Sequence, residues 1–418
     1  MSRTSLALNN LRAIVILVVL AFHSVSAYLG SLTHGAYPFD KAPYLWNAFP
    51  IVDNHRWFGF DVFCAWQDVY LMALMFFLSA LFAWPSLARK GTQKFLSDRF
   101  LRLGVPCAFG MAILMPIALY PVYRVSASDP GVGAFIRHFL ALPFWPNGPT
   151  WFLWQLLALT VLGAALFRFA PKSIAFLAAR ASEDRPLRYF AVFAAFALLA
   201  YVPLALLFTP FQWVNHGMFS VQYSRPLLYI VAYVAGLCAG ANGIERGLLS
   251  ENGRLVVHWG LWALGATFAF VAWMLLTALT LWGNAPLALR IATDATFALA
   301  ATSGVFAALA LTLRFGTAHS RLFDNLGDNA FGYFIIHYPF VVWMQYALLG
   351  TALFAVAKGA IVFAVTLFAS WLAVTALRAT PFGLPLIGGE RRVRAQARAP
   401  EGAKPVLGGA DQLPQGIR

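Results

Sequence analysis

Long apolar stretches separated by short polar intervals run through the chain from end to end. Ten of these stretches are long enough to cross ~30 Å of hydrocarbon as helices. They lie near residues 11–30, 67–85, 103–122, 150–168, 189–209, 226–243, 256–282, 288–313, 329–349 and 353–378. Asp294 interrupts the eighth and Lys358 lies at the start of the tenth, so those two are the least clearly bounded. The pattern predicts an all-α fold, a polytopic membrane helix bundle of about ten transmembrane helices over residues 1–379. Ser31 to Trp66 is a long outer loop, and residues 380–418 form a basic cytoplasmic tail rich in Gly, Pro, Ala and Arg. That tail has little to bury and is expected to be disordered.

Charge orients the bundle. With the N-terminus in the cytoplasm, 23 Lys and Arg residues fall on the inner side and 7 on the outer side. This is the positive-inside pattern, with both termini cytoplasmic. Residues 1–27 also have features of a signal peptide: Arg3, an apolar core and "SVSA". Removing them leaves nine spans and spoils the charge alternation, so the segment is read as a retained first helix. The net charge of +14 is then mainly topological. Membrane lipid is the expected partner and nucleic acid is not.

Composition agrees. The chain is 61% hydrophobic and 11% charged, where soluble domains carry about 25% charged residues. Cys64, Cys107 and Cys238 are scattered singly, with no CxxC pair and no disulfide framework. No metal-ligand cluster, Gly-rich nucleotide loop or GxSxG turn occurs, so no bound cofactor or metal is expected. The lack of an internal repeat disfavours transporters built from duplicated halves.

Ionisable residues inside a bilayer are costly and mark function by default. Arg12 and His23 are eleven positions apart on the first predicted helix. At 100° per residue they sit roughly 20° apart around the axis, and roughly 16–17 Å apart along it. An arginine at the cytoplasmic edge and an imidazole more than halfway across therefore face the same groove. Snorkelling by Arg12 and one interhelical hydrogen bond from His23 account for this helix equally well. A second histidine, His337, lies within "YFIIHYPFVVW" of the ninth span beside Tyr338. Two histidines reachable from one cavity weigh against a plain scaffold.

Several segments resemble the membrane acyltransferase-3 family. "LNNLRAIVILVVLAFH" is similar to its first helix, with the Arg–ten residues–His signature at Arg12 and His23. "LMALMFFLSALFAW" resembles its second helix, with Ala80 where Gly is usual. "FLSDRFLRLGVP", "GPTWFLWQLLAL" and "YFIIHYPFVVW" resemble its third helix, aromatic fourth helix and late His segment. Together they span roughly residues 8 to 378, in the family's order.

The resemblance implies an integral membrane O-acyltransferase of the bacterial cytoplasmic membrane. It implies acyl-CoA, with acetyl-CoA the expected form, as co-substrate and a hydroxyl of a cell-envelope or exported glycan as acceptor. His23 is then the expected general base, since an imidazole kept neutral by desolvation suits proton abstraction. A covalent acyl-His intermediate is the less favoured route. Arg12, with Arg99 and Arg102 at the start of the third span, is expected to bind the CoA phosphates. Positive-inside anchoring explains the latter two equally well. Asp61, Asp68 and Asp294 are the candidates for an orienting carboxylate, each weighed against a structural ion pair. His337, Tyr338, Trp151 and Gln155 are expected around the cavity, with Trp151 and Trp154 suited to an aromatic belt. Ser79 is read as a packing residue. A flippase for a lipid-linked saccharide, or a polytopic scaffold, is the alternative.

Overall fold

The computed structural model describes residues 2–33, 35–181, 184–281 and 283–389. Its helices cover the predicted apolar stretches: α1 (Arg3–Val25), α2 (Phe58–Leu81), α3 (Thr92–Ser126), α4 (Trp151–Phe169), α5 (Pro186–Phe208), α6 (Pro226–Ala241), α7 (Trp259–Thr280), α8 (Leu287–Phe315), α9 (Arg321–Ala347) and α10 (Ala355–Ala379). α2 begins at Phe58, within the stretch predicted as outer loop to Trp66, and α3 begins at Thr92 rather than near 103, because polar first turns can lie outside the apolar run that marks a span. The fold is the expected all-α polytopic bundle. Among the described residues, 8 helices are long and apolar enough to cross a membrane. The other two depart for different reasons. α6 has 16 residues, a rise of roughly 24 Å. α9 is 27 residues long but carries Asp324, Asp328, Asn329, His337 and Gln345, which lower its hydropathy. Asn329, His337 and Gln345 are buried where α9 packs on α1, α10 and α3, whereas Asp324 and Asp328, nearer its start, are not.

Burial separates the helices by role. The apolar window of α8 is 72% buried and that of α7 only 6%, so α8 is central and α7 faces lipid. α1 packs on α9, α10 and α8, which places the Arg12–His23 helix in the middle of the molecule. α6 docks on α2 through the motif Gly236-Leu-Cys-Ala-Gly240. A Cβ at Gly236 would collide with the Phe77 carbonyl, and one at Gly240 with the Leu81 carbonyl. Small residues four apart thus let two membrane helices approach backbone to backbone.

α3 is irregular where prolines interrupt it. Wide π turns at Phe100–Gly104 and Gly110–Leu114 precede Pro106 and Pro116. A helical proline lacks an N–H and crowds the carbonyl four residues before it, and a wide turn relieves that crowding.

One end of the bundle is capped by the loop that follows α1, the segment 127–150 and a hairpin of β1 (Trp213–His216) and β2 (Phe219–Gln222). The Asp61 carboxylate accepts from the Gly30 and Ser31 amides at 2.6 and 3.0 Å. Lys358, fully buried on α10, holds the Asp53 carboxylate of this loop at 2.7 Å. At the opposite end the chain after α10 folds back as a short helix, Gly383–Leu386, with Ile387 buried beside Gly332 of α9. The predicted tail beyond residue 389 lies outside the described residues.

Candidate functional site

α1 is continuous from Arg3 to Val25, so the spacing of Arg12 and His23 is realised on one helix. Ser2 caps its start by accepting from the Ser5 amide. Its far end is pinned from α9, where the Gln345 amide donates to the His23 and Ser24 carbonyls at 2.8 and 3.3 Å.

His23 meets the other intramembrane histidine directly. Nε2 of His337 is 3.3 Å from Nδ1 of His23, and the ring centres are 4.9 Å apart. His337 is fully buried, whereas His23 is half-buried and retains an accessible edge. The Tyr338 ring stands edge-on to His23 at 5.6 Å. Gly148 packs beside it at φ +42°, where a Cβ would come within 2.6 Å of Met115 Sδ and 3.1 Å of Tyr338 Cε1, so this position admits only glycine without strain. Phe334 connects the pair to α4 through Phe152, at ring separations of 6.1 and 5.6 Å.

The other end of α1 borders a basic cavity. The Arg12 guanidinium lies over the Phe82 ring at 4.4 Å. It is within electrostatic reach of Arg99, Arg102 and Asp328. Phe82 also lines a cavity of about 360 Å³ together with Arg89, Lys90, Asp98, Arg99 and Arg102. Gly91, at φ +74°, turns the short helix Ala83–Lys90 back over the start of α3, which brings Arg89 and Lys90 to Arg99. Asp98 accepts from Lys90 at 2.6 Å and from Lys94 at 2.9 Å, so it offsets part of the positive charge. The site therefore has two poles joined by α1: a cluster of cations around Arg12 and an imidazole pair formed by His23 and the buried His337.

A sequence model described as an acyltransferase domain matches residues 5–375, which include both poles. The chain belongs to this acyltransferase family. With its apolar helices it is a membrane acyltransferase. No curated protein and no solved structure matches it.

In this acyltransferase the other candidates lie away from the histidines. Asp68 forms a two-pronged ion pair with Arg225 of the loop before α6, at 2.8 and 2.6 Å. Arg225 is buried, and its guanidinium also lies 5.1 Å from the Phe297 ring centre. Asp294 is buried on α8, with Arg290 and Tyr201 as its charged and polar neighbours. Asp61 ties down the loop after α1, as described above. None of these three contacts either histidine. Trp151 stacks on Tyr229 and meets Trp213, and Trp154 meets Phe219, so both tryptophans support the hairpin. Gln155 is buried, and its Nε2 has no hydrogen-bond partner among the described residues. Ser79 donates to Met75 O of its own helix.

Sequence reasoning missed Arg89 and Lys90, which it counted only as inner-side charge. Both fall in the same basic interval as Arg99 and Arg102. The reversal at Gly91 was the available signal. It also missed Gln345 and Arg225, whose partners are more than a hundred residues away.

Proposed function

We propose that this membrane acyltransferase moves an acyl group, acetyl in the simplest case, from cytoplasmic acyl-CoA to a hydroxyl of a cell-envelope or exported glycan. The observation that carries the reading is the two-pole arrangement on α1. Arg12 borders the cavity lined by Arg89, Lys90, Arg99 and Arg102, and His23 lies deeper on the same helix. A cluster of guanidinium and ammonium groups suits the phosphates of CoA. The roughly 16–17 Å from Arg12 to His23 along the helix suits the extended pantetheine arm that carries the thioester.

His23 is the general base of this reaction. It takes the proton of the acceptor hydroxyl as that oxygen attacks the thioester carbonyl. A C–O bond forms, the C–S bond breaks, and the proton passes to the departing thiolate. Atoms and charge balance without a metal or a redox step. Family membership favours this chemistry over transport or a scaffold role, since neither of those transfers an acyl group.

The test incubates membranes containing the full chain with acetyl-labelled acetyl-CoA and extracted envelope glycans. The wild type should label the glycan, and His23→Ala should lower the rate by at least ~100-fold at equal amounts of folded protein. Near-wild-type transfer by His23→Ala would remove the base from the proposal.

A further inference from the structure

The two imidazoles meet in a pattern that admits one consistent assignment of hydrogens. A backbone carbonyl only accepts, so a ring nitrogen beside one carries the hydrogen. Nδ1 of His337 lies 2.8 Å from Phe334 O and 3.2 Å from Tyr333 O, and is therefore N–H. In the neutral ring, Nε2 of His337 is then a lone pair. It faces Nδ1 of His23, which also stands 2.9 Å from Val19 O. Nδ1 of His23 thus meets two acceptors and carries its own hydrogen. The reverse tautomers would set bare nitrogens against the carbonyls of Phe334 and Val19.

We propose that His337 is a positioning residue that holds His23 in the Nδ1–H tautomer, so that Nε2 of His23 is the atom that takes the proton. This rests on the reading of His23 as the base. During transfer the acceptor proton moves to Nε2 as the C–O bond forms. Cleavage of the C–S bond then returns it to the thiolate. While His23 holds both protons, its Nδ1–H points at the His337 lone pair and the Val19 carbonyl, and both dipoles support the cation. A carboxylate fills this place in Ser-His-Asp triads. Here none of the three aspartates considered for it contacts His23, and a neutral ring avoids burying a second charge in an apolar interior. Gln345, eight residues further along α9, donates to the His23 carbonyl at 2.8 Å and so fixes the height of the base.

The test compares His337→Leu and His337→Gln with wild type and His23→Ala, using the purified full chain in liposomes with acetyl-CoA and extracted envelope glycans. Leucine fills the space without an acceptor, whereas the glutamine oxygen can accept from Nδ1–H of His23. His337→Leu should lower kcat by about 100-fold, with KM for acetyl-CoA within about twofold, and His337→Gln should recover at least about tenfold of that loss. Equal kcat in the Leu and Gln variants, or a Leu variant altered only in KM, would overturn the positioning role. If His23→Ala stays active, the base reading itself fails; if His23→Ala is inactive and His337→Leu is not, only this inference fails. Imidazole ¹⁵N spectra of the wild-type protein in liposomes provide a check that needs no variant to turn over. They should show His23 protonated at Nδ1 and bare at Nε2, and the opposite tautomer would overturn the proposal.

Discussion

Asp68 illustrates how a residue's neighbourhood in sequence differs from its neighbourhood in space. A carboxylate in an apolar helix needs a partner, and that much was legible. The partner is Arg225, 157 residues further on, and no periodicity on α2 points to it. The Arg12–His23 relation was legible because both residues lie on one regular helix, where spacing alone fixes face and height. The pairing of His23 with His337 was only half legible: the sequence put both histidines in spans but could not bring α1 and α9 together. These differences separate roles that mutation can test. Removing Asp68 leaves Arg225 buried without its counter-charge, which costs about 3–5 kcal/mol in such pairs, less here because Asp68 is itself 38% exposed. Asp68→Ala should therefore lower the thermal unfolding midpoint while kcat per folded molecule stays within about threefold of wild type. A kcat loss as deep as that of His23→Ala, with an unchanged midpoint, would return Asp68 to the catalytic site.

Among the elements, helix positions were read from apolar runs and are found where those runs lie, because a lipid-facing helix must be apolar along most of its length. The exceptions have physical causes. α9 falls below a hydropathy criterion because of its polar residues, three of which are buried against neighbouring helices, and α6 is short. The docking of α6 on α2 depends on two glycines whose Cα atoms face backbone carbonyls. Gly240→Leu should push these helices apart, an overpacking effect of about 1–3 kcal/mol or more, read as a lower unfolding midpoint in detergent. An unchanged midpoint would mean that the close approach is dispensable. The loop after α1 is a second case, anchored by a lysine that the apolar pattern placed at the start of the tenth span. Lys358→Met removes the ammonium partner of the buried Asp53 carboxylate and leaves it held from His55, whose amide donates at 2.8 Å. It should make residues 35–57 more susceptible to limited proteolysis, and unchanged cleavage would show that the anchor is not needed.

At the scale of the whole molecule, the distribution of charge and the two-pole site are one feature seen twice. The basic residues that the positive-inside pattern assigns to the inner side include Arg89, Lys90, Arg99 and Arg102, which line the cavity at Arg12. Lys90→Ala and Arg102→Ala should each raise KM for acetyl-CoA by about three- to tenfold with kcat little changed, and the effect should shrink as salt rises. A fall in kcat at unchanged KM would assign these residues elsewhere. The proposed function holds that the two ends of α1 link a cytoplasmic acyl donor to an acceptor reached from the other face. The most direct measurement uses sealed liposomes containing the full chain, sorted by orientation, with labelled acetyl-CoA on the cytoplasmic face and extracted envelope glycans on the opposite face. Label should reach the glycan with wild-type protein and not with His23→Ala. Transfer that requires donor and acceptor on the same face, or that survives loss of His23, would contradict it.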